Sequence, residues 1–180
     1  MTRWIMTALG QDRPGIVAGV TEILYKLGCN LEDSAMTRLE GEFAIMLIFS
    51  SPNTVTAEKL HKSVAPLERR LKLVVHLKPL SPQEAATPKK RGRAFLISVY
   101  GADRPGIVFR VSQELAAEGI NITDVHTHRS VGGAPSLYVM LLEVEVPPRL
   151  GTERLEERLK KLAKTLGVEV SLRPSEADVL

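Results

Sequence analysis

The sequence predicts an α+β fold in which one βαββαβ arrangement occurs twice along the chain. Residues 10–38 and 101–129 align without a gap at an offset of 91 residues, and 13 of these 29 positions are identical. Residues 60–71 align with 155–166 at an offset of 95. Each copy also changes its hydrophobic period in the same order. A repeat of about 80 residues is too long for a solenoid unit and indicates duplicated domains.

The first strand and the first helix are the clearest elements of each copy. Residues 4–9, matched by 95–100, form a short apolar stretch that ends at a glycine, which is typical of a buried strand. Apolar residues then keep helical spacing over residues 16–27. We expect Pro14 in the first turn of this helix and Gly28 at its C-terminal end.

A hairpin is predicted after the first helix. Two extended segments, 30–39 and 43–49, flank a turn at residues 40–41. In the second copy we expect the corresponding turn at the glycine pair 132–133.

A second helix and a fourth strand complete each copy. Leucine and valine recur at helical spacing over residues 60–71. Residues 73–77, matched by 168–172, alternate with period two. Right-handed crossovers then place both helices on one face of a four-stranded antiparallel sheet, which is the ferredoxin-like arrangement.

The repeat also sets the expected domain boundaries. We predict a first domain over 1–79, a proline-containing and basic linker over 80–93, a second domain over 94–174 and a tail over 175–180. The offset grows from 91 to 95, so four residues are inserted in the second copy between Arg129 and Thr152.

Composition excludes several classes of function. The chain has 44% hydrophobic and 25% charged residues, and its net charge of +3 is too small to demand nucleic-acid binding. No apolar run is long enough for a membrane span, and we expect a cytoplasmic protein. Cys29 is the only cysteine, so a disulfide framework is excluded within one chain. The chain has no GxSxG, HExxH or phosphate-loop motif, and we expect neither an enzyme nor a cofactor.

The segment shared by both copies has the chemistry of a small-ligand site. The helix that begins near Gly15 offers backbone N–H groups without helical partners and a partial positive charge, both of which suit a carboxylate. We expect Gly15 to let a ligand approach the backbone closely. Asn30, at the start of the next strand, is expected beside the same helix N-terminus or beside that of a neighbouring domain. Its amide both donates and accepts hydrogen bonds.

A purely structural interpretation of the same residues remains open. Pro14 and Gly15 can be helix punctuation, and Asn30 can be a strand cap. Arg13 and its counterpart Arg104 can be solvated charges or partners of the aspartates that precede them.

The block Asp-Arg-Pro-Gly-Ile-Val, followed by Gly-x-Asn, resembles the ACT domain, and it does so in both copies. A pair of such domains with no enzyme attached most resembles the glycine cleavage system transcriptional repressor family. The resemblance implies a non-catalytic regulator that binds an amino-acid effector where domains pair. It assigns the effector contacts to the loop after the first strand and to the start of the second strand. Carried over to this sequence, these ligand-binding positions are Gln11, Asp12, Arg13, Pro14, Gly15, Ile16, Asn30 and Leu31 in the first copy and Ala102, Asp103, Arg104, Pro105, Gly106, Ile107, Asn121 and Ile122 in the second.

The resemblance also implies partners. These are a small amino acid such as glycine, a DNA-binding regulatory protein through which a repressor of this kind acts, and a second copy in a homodimer or larger assembly. The alternative is a direct nucleic-acid binder that uses the ferredoxin-like sheet and the basic residues of the linker, although the aromatic cluster that stacks bases is missing.

A metal site is a weaker hypothesis. Asp124, His126 and His128 alternate along the second strand of the second copy, which places them on one face.

Overall fold

A computed structural model of the chain describes residues 1–81, 92–130 and 136–175. The chain divides into two units, Met1–Thr87 and Pro88–Leu180. The elements of the first unit are β1 (Thr2–Gln11), α1 (Ile16–Lys26), β2 (Asn30–Leu39), β3 (Glu42–Ser51), α2 (Ala57–Leu71) and β4 (Val74–Pro79). Those of the second are β5 (Arg93–Ala102), α3 (Ile107–Ala117), β6 (Asn121–Arg129), β7 (Leu137–Val146), α4 (Thr152–Leu166) and β8 (Val168–Pro174).

Each unit contains one four-stranded antiparallel sheet. The strand order is β2-β3-β1-β4 in the first unit and β6-β7-β5-β8 in the second. These orders and the βαββαβ sequence of elements confirm the predicted α+β, ferredoxin-like fold of both copies. The two edge strands of each sheet are therefore β2 and β4, or β6 and β8.

The core of each unit lies between one face of the sheet and the two helices. In the first unit, Phe43, Ile45, Leu47 and Phe49 alternate along β3 and are all buried, together with the inward residues of α1 and α2. Burial of a side chain of this size contributes roughly 1.5–3 kcal/mol to folding. The opposite face of this sheet keeps apolar residues exposed, among them Met46.

The beginning of α1 differs from the prediction. Gly15 is the N-cap and the helix begins at Ile16, so Pro14 precedes the cap instead of occupying the first turn. The same holds in α3, where Gly106 is the N-cap. By contrast, α2 has a conventional cap, because the hydroxyl of Thr56 accepts a hydrogen bond from the backbone N–H of Lys59 at 3.2 Å.

The structure narrows the place of the four-residue insertion. β2 and β6 keep the offset of 91, whereas β3 and β7 are related by the offset of 95. The extra residues therefore lie between Arg129 and Leu137. The first copy turns at residues 40–41, with Glu40 in the left-handed region at φ 53°, as expected for the hairpin. The predicted turn at 132–133 falls outside the described residues.

The predicted linker lies between the last strand of the first unit and the first strand of the second. β4 ends at Pro79 and β5 begins at Arg93. Residues 82–91 are outside the described part of the chain, and so are residues 176–180 of the predicted tail.

Candidate functional site

The loop after the first strand is tied to the end of the edge strand in both copies. The Asp12 carboxylate pairs with Arg38 of β2 at 3.3 Å, and the Asp12 backbone N–H donates to the carbonyl of Gly41 at 2.8 Å. In the second copy, Asp103 pairs with Arg129 of β6 at 3.6 Å. Both partners belong to the identical positions of the repeat, so the recurrence of this aspartate follows from loop anchoring. The identity of this aspartate and this arginine in both copies is the sequence signal for the pair.

The N-terminus of α1 has backbone N–H groups that no described side chain caps. The first helical hydrogen bond within it runs from the N–H of Gly19 to the carbonyl of Gly15, at 2.9 Å. Within the described residues, the N-cap has no side-chain hydrogen bond and the first turn has no acidic residue, and α3 shares both properties. The N–H groups of residues 16–18 are thus left for solvent or for an anion.

Ile16 and Ile107 are the first residues of α1 and α3. Their side chains are buried in the cores of their units. Only their N–H groups, which belong to the first helical turn, remain available for the predicted ligand contact. The neighbouring residues Pro14 and Pro105 are exposed.

The reason for the glycine at the N-cap is its backbone conformation. Gly15 has φ 93° and Gly106 has φ 94°, in a region that residues with a side chain rarely adopt. A Cβ atom at either position would meet nothing within 4 Å. The space beside the cap is therefore free of protein atoms.

The asparagines lie at the far end of the sheet from the loop of their own domain. Asn30 and Arg3 both pair with Ser50, whereas Gly10 and Arg38 both pair with Phe43. Seven residues of β1 separate these two levels, which is about 23 Å at ~3.3 Å per residue. The expectation that Asn30 lies beside the helix N-terminus of its own copy is therefore wrong.

The second copy has the same arrangement. Asn121 and Ala94 both pair with Glu145, and Gly101 and Arg129 both pair with Tyr138. Seven residues again separate the two levels. The other possibility, a helix N-terminus supplied by a neighbouring domain, is the one compatible with this geometry.

The start of each edge strand is exposed and bulged. Asn30 and Asn121 are exposed, as is Leu31, whereas Ile122 is partly buried against the core of its unit. A β-bulge follows each asparagine, between Leu31 and Asp33 and between Ile122 and Asp124. Asp33 accepts a hydrogen bond from the next backbone N–H at 2.8 Å, which fits a structural role in the bulge.

The two loop arginines have different surroundings. Arg13 donates to the side-chain oxygen of Gln11 at 3.0 Å, whereas the second copy has Ala102 at the position of Gln11. The Arg104 guanidinium instead lies 3.1 Å from the place that a Cβ of Gly167 would occupy, at the C-terminal cap of α4. The first copy has Lys72 at that cap. Neither arginine pairs with the aspartate that precedes it.

Asp103 and Arg104 consequently point towards opposite edges of their sheet. Asp103 contacts the edge strand β6, and Arg104 contacts the residue that precedes the other edge strand, β8. A ligand at the β6 edge therefore approaches the aspartate side of the loop.

The histidines of β6 do not form a metal centre in the described part of the chain. His126 pairs with Asp124 at 2.9 Å, and both side chains are largely exposed. Among the described residues, no group of three or more histidine, cysteine or acidic side chains is placed to hold a metal ion.

Burial affects two other titratable groups. It raises the pKa of the Cys29 thiol and, with a smaller opposing effect from a hydrogen bond to Thr127, that of the Tyr138 phenol. Cys29 is partly buried against the first core, which fits a packing role.

An ion-pair network between α3 and α4 distinguishes the second unit. Arg158 contacts both Glu114 and Glu118. The equivalent positions of the first copy are Ser63, Ile23 and Leu27. Glu114 and Glu118 are four residues apart and therefore lie on one face of the helix. This spacing is the sequence feature that predicts a basic partner on the neighbouring helix.

None of the helices among the described residues is long and apolar enough to cross a membrane.

Comparison with known proteins agrees with the fold. ACT-domain family models match residues 2–78 and 95–164. The chain therefore belongs to the ACT-domain family and carries two such domains in tandem.

The chain is also similar to individual proteins, over most of its length in two of the following three cases. It is 30% identical over 174 residues to the glycine cleavage system transcriptional repressor of Escherichia coli (strain K12), covering 93% of this chain and 87% of that protein. A UPF0237 protein of Methanopyrus kandleri is 42% identical over 65 residues, which are 36% of this chain and 72% of that protein. The crystal structure of an unknown protein from Galdieria sulphuraria superposes with a TM-score of 0.79 at 25% identity, covering 97% of this chain and 98% of the other.

Proposed function

We propose that this protein is a non-catalytic regulator that senses a small amino acid, such as glycine, at sites formed between domains of two copies of the chain. The observation that carries the proposal is the separation of the two halves of the site. Each domain has an uncapped helix N-terminus at one end of its sheet and an exposed asparagine at the other end, about 23 Å away. Only a second domain brings one half to the other.

The edge strands provide the means of bringing them together. All ten residues of β2 are exposed, including Leu31, Met36 and Leu39. An open strand edge of this length is a template for pairing with another chain. We expect β2 and β6 to pair in antiparallel fashion with edge strands of a second copy around a two-fold axis.

Antiparallel pairing in the right register completes the site. If β2 pairs with β2 of a second copy about Ser34, Asn30 lies opposite Arg38 of the partner subunit. Arg38 holds the loop through Asp12, so the asparagine amide and the helix N-terminus then belong to one site. The helix N-terminus binds the ligand carboxylate, and the asparagine side-chain carbonyl accepts a hydrogen bond from the ligand ammonium group.

Regulation through a protein partner is the second part of the proposal. The Escherichia coli relative is a transcriptional repressor by name. Direct nucleic-acid binding is disfavoured, because the exposed sheet face of the second unit has Glu143 and Glu169, and Tyr100 is the one Phe, Tyr or Trp that the described strands place on it. Carboxylates on that face repel a phosphate backbone. We therefore propose that the regulator acts on a DNA-binding protein.

The first experiment is a thermal-shift screen of the twenty amino acids, followed by calorimetry of those that raise the melting temperature. Binding at 100 times the dissociation constant stabilises a protein by roughly 2.7 kcal/mol. The test variant is a chain with Ala18→Glu and Phe109→Glu, and its matched control is a chain with Ala18→Gln and Phe109→Gln. Both residues are exposed in the first helical turn, and a glutamate there places a carboxylate where the ligand carboxylate binds.

We expect the glutamate variant to keep its fold and lose the ligand-induced shift in melting temperature, whereas the glutamine variant retains that shift. Equal shifts in the two variants would place the ligand elsewhere. No shift with any amino acid, combined with salt-dependent binding of DNA or RNA, would favour the nucleic-acid alternative. A 20 kDa monomer by light scattering at micromolar concentration would contradict the assembly.

A further inference from the structure

The exposed face of the second sheet contains a depression that the loop site does not use. One cavity of about 450 Å³ is lined by Leu96, Ser98, Tyr100, Leu141, Glu169, Val170, Ser171 and Arg173. A second, of about 410 Å³, is lined by Tyr100, Gly101, Leu137, Gly167, Val168 and Glu169. The two cavities share Tyr100 and Glu169 and therefore form one trough. Volumes in this range are typical of small-molecule sites.

Polar groups are arranged along the trough in three steps. Tyr100 pairs with Glu169, Ser98 with Ser171, and Leu96 with Arg173 in the register of β5 and β8. Side chains two residues apart on a strand share a face, so all six face the trough. The trough has a carboxylate towards one end, a guanidinium towards the other and hydroxyl groups between them.

Three of these groups are available to a ligand. Ser98 is 8% exposed and lines the cavity. Within the described residues, neither Glu169 nor Arg173 forms an ion pair.

The first copy has the same fold but lacks the phenol and the carboxylate of this trough. The positions of Tyr100 and Glu169 are taken by Leu9 and Val74, which are exposed by 51% and 71%. The carboxylate and the phenol are thus not required by the ACT fold, which forms without them in the first unit.

The spacing of the charges indicates the length of the ligand. Glu169 and Arg173 are four residues apart on β8, about 13 Å between Cα atoms, and both side chains extend into the trough. The charged groups of an α-amino acid are too close together to reach both. An extended tripeptide spans about 10 Å between its ends. Its amides match the serine hydroxyls, and its side chains rest on Leu96 and Leu141.

We propose that this trough is a binding site for a short zwitterionic peptide, with its ammonium group on Glu169, its carboxylate on Arg173 and its amides over Ser98 and Ser171. The site is separate from the loops and from the edge strands β2 and β6, and it does not rest on the proposed amino-acid sensing.

The test is a titration of the full chain with trialanine, followed by NMR. We expect saturable shifts at residues 96–100 and 169–173 and none with N-acetyl-trialanine amide, whose ends are uncharged. Glu169→Val, which introduces the residue of the first copy, should weaken binding about 10- to 150-fold, as expected for loss of a charged hydrogen bond. Glu157→Val, an exposed glutamate on α4, is the matched control and should bind as the unmodified chain does.

Several outcomes would overturn the proposal. These are the absence of saturable shifts, equal binding of the blocked peptide, and equal affinities of the Glu169→Val and Glu157→Val chains. Shifts at residues 96–100 that depend on protein concentration without peptide would assign this face to a second copy instead. Amino-acid binding at the loops is followed separately by shifts at residues 11–18 and 102–109, so failure of one site is distinguished from failure of the other.

Discussion

Replacement of both Asn30 and Asn121 by alanine should separate ligand binding from stability. Both side chains are exposed at the start of an edge strand. Exposed substitutions of this kind change the free energy of unfolding by about 0.5 kcal/mol or less. A hydrogen bond to a charged ligand group contributes about 1.5–3 kcal/mol, so the affinity for the amino acid should fall about 10- to 150-fold.

The assay combines urea unfolding with calorimetric titration of the amino acid that gives the largest thermal shift. Leu142→Ala is the control for stability, because Leu142 is fully buried and its truncation should cost about 2–5 kcal/mol. A double-asparagine variant that melts as early as Leu142→Ala but binds with unchanged affinity would refute the reasoning. The asparagines would then be strand caps.

Three further predictions concern single residues. Gly15→Ala should cost about 1–2 kcal/mol in urea unfolding because of its positive φ, and an unchanged stability would show that the loop relaxes. Arg158→Met should lower the melting temperature more than Lys160→Met. The reason is that loss of Arg158 removes a partner of Glu118, whose side chain is only 12% exposed. Equal effects of the two substitutions would count against the ion-pair network. Cys29 should react with iodoacetamide more slowly than a free thiol at pH 8, because burial raises its pKa and lowers the thiolate fraction, and unfolding should abolish the difference.

Most of the fold could be predicted from the sequence, because hydrophobic periodicity and duplication report the same pattern twice. The alternation of Leu73, Val75 and Leu77 identified β4, and the series from Leu60 to Leu71 identified α2. The start of α1 was less predictable. Proline is common at the first helical position, and only the backbone conformation of Gly15, the N-cap, shows that Pro14 precedes the helix here.

The site was less accessible to sequence reasoning, because the sequence does not contain the distances between elements. Asn30 follows α1 closely in sequence. Because α1 runs back along the sheet, however, Asn30 lies at the level where β1 begins, at the far end of the sheet from the N-terminus of α1. The pairing of Asp12 with Arg38 could have been inferred, since both recur in the second copy. The direction of Arg104 could not, because it depends on the space left by Gly167, which belongs to a distant part of the chain.

A mixing experiment tests most directly whether the amino-acid site is shared between two copies. One chain carries Asn30→Ala and Asn121→Ala, and the other carries Ala18→Glu and Phe109→Glu. Each alone should bind the amino acid weakly or not at all. After joint refolding of equal amounts, a mixed assembly contains sites with an intact loop from one chain and an intact asparagine from the other. We predict that calorimetry recovers binding in the mixture with the affinity of the unmodified protein and a reduced stoichiometry. A mixture that forms hybrid assemblies but binds no better than its two components would contradict the shared site.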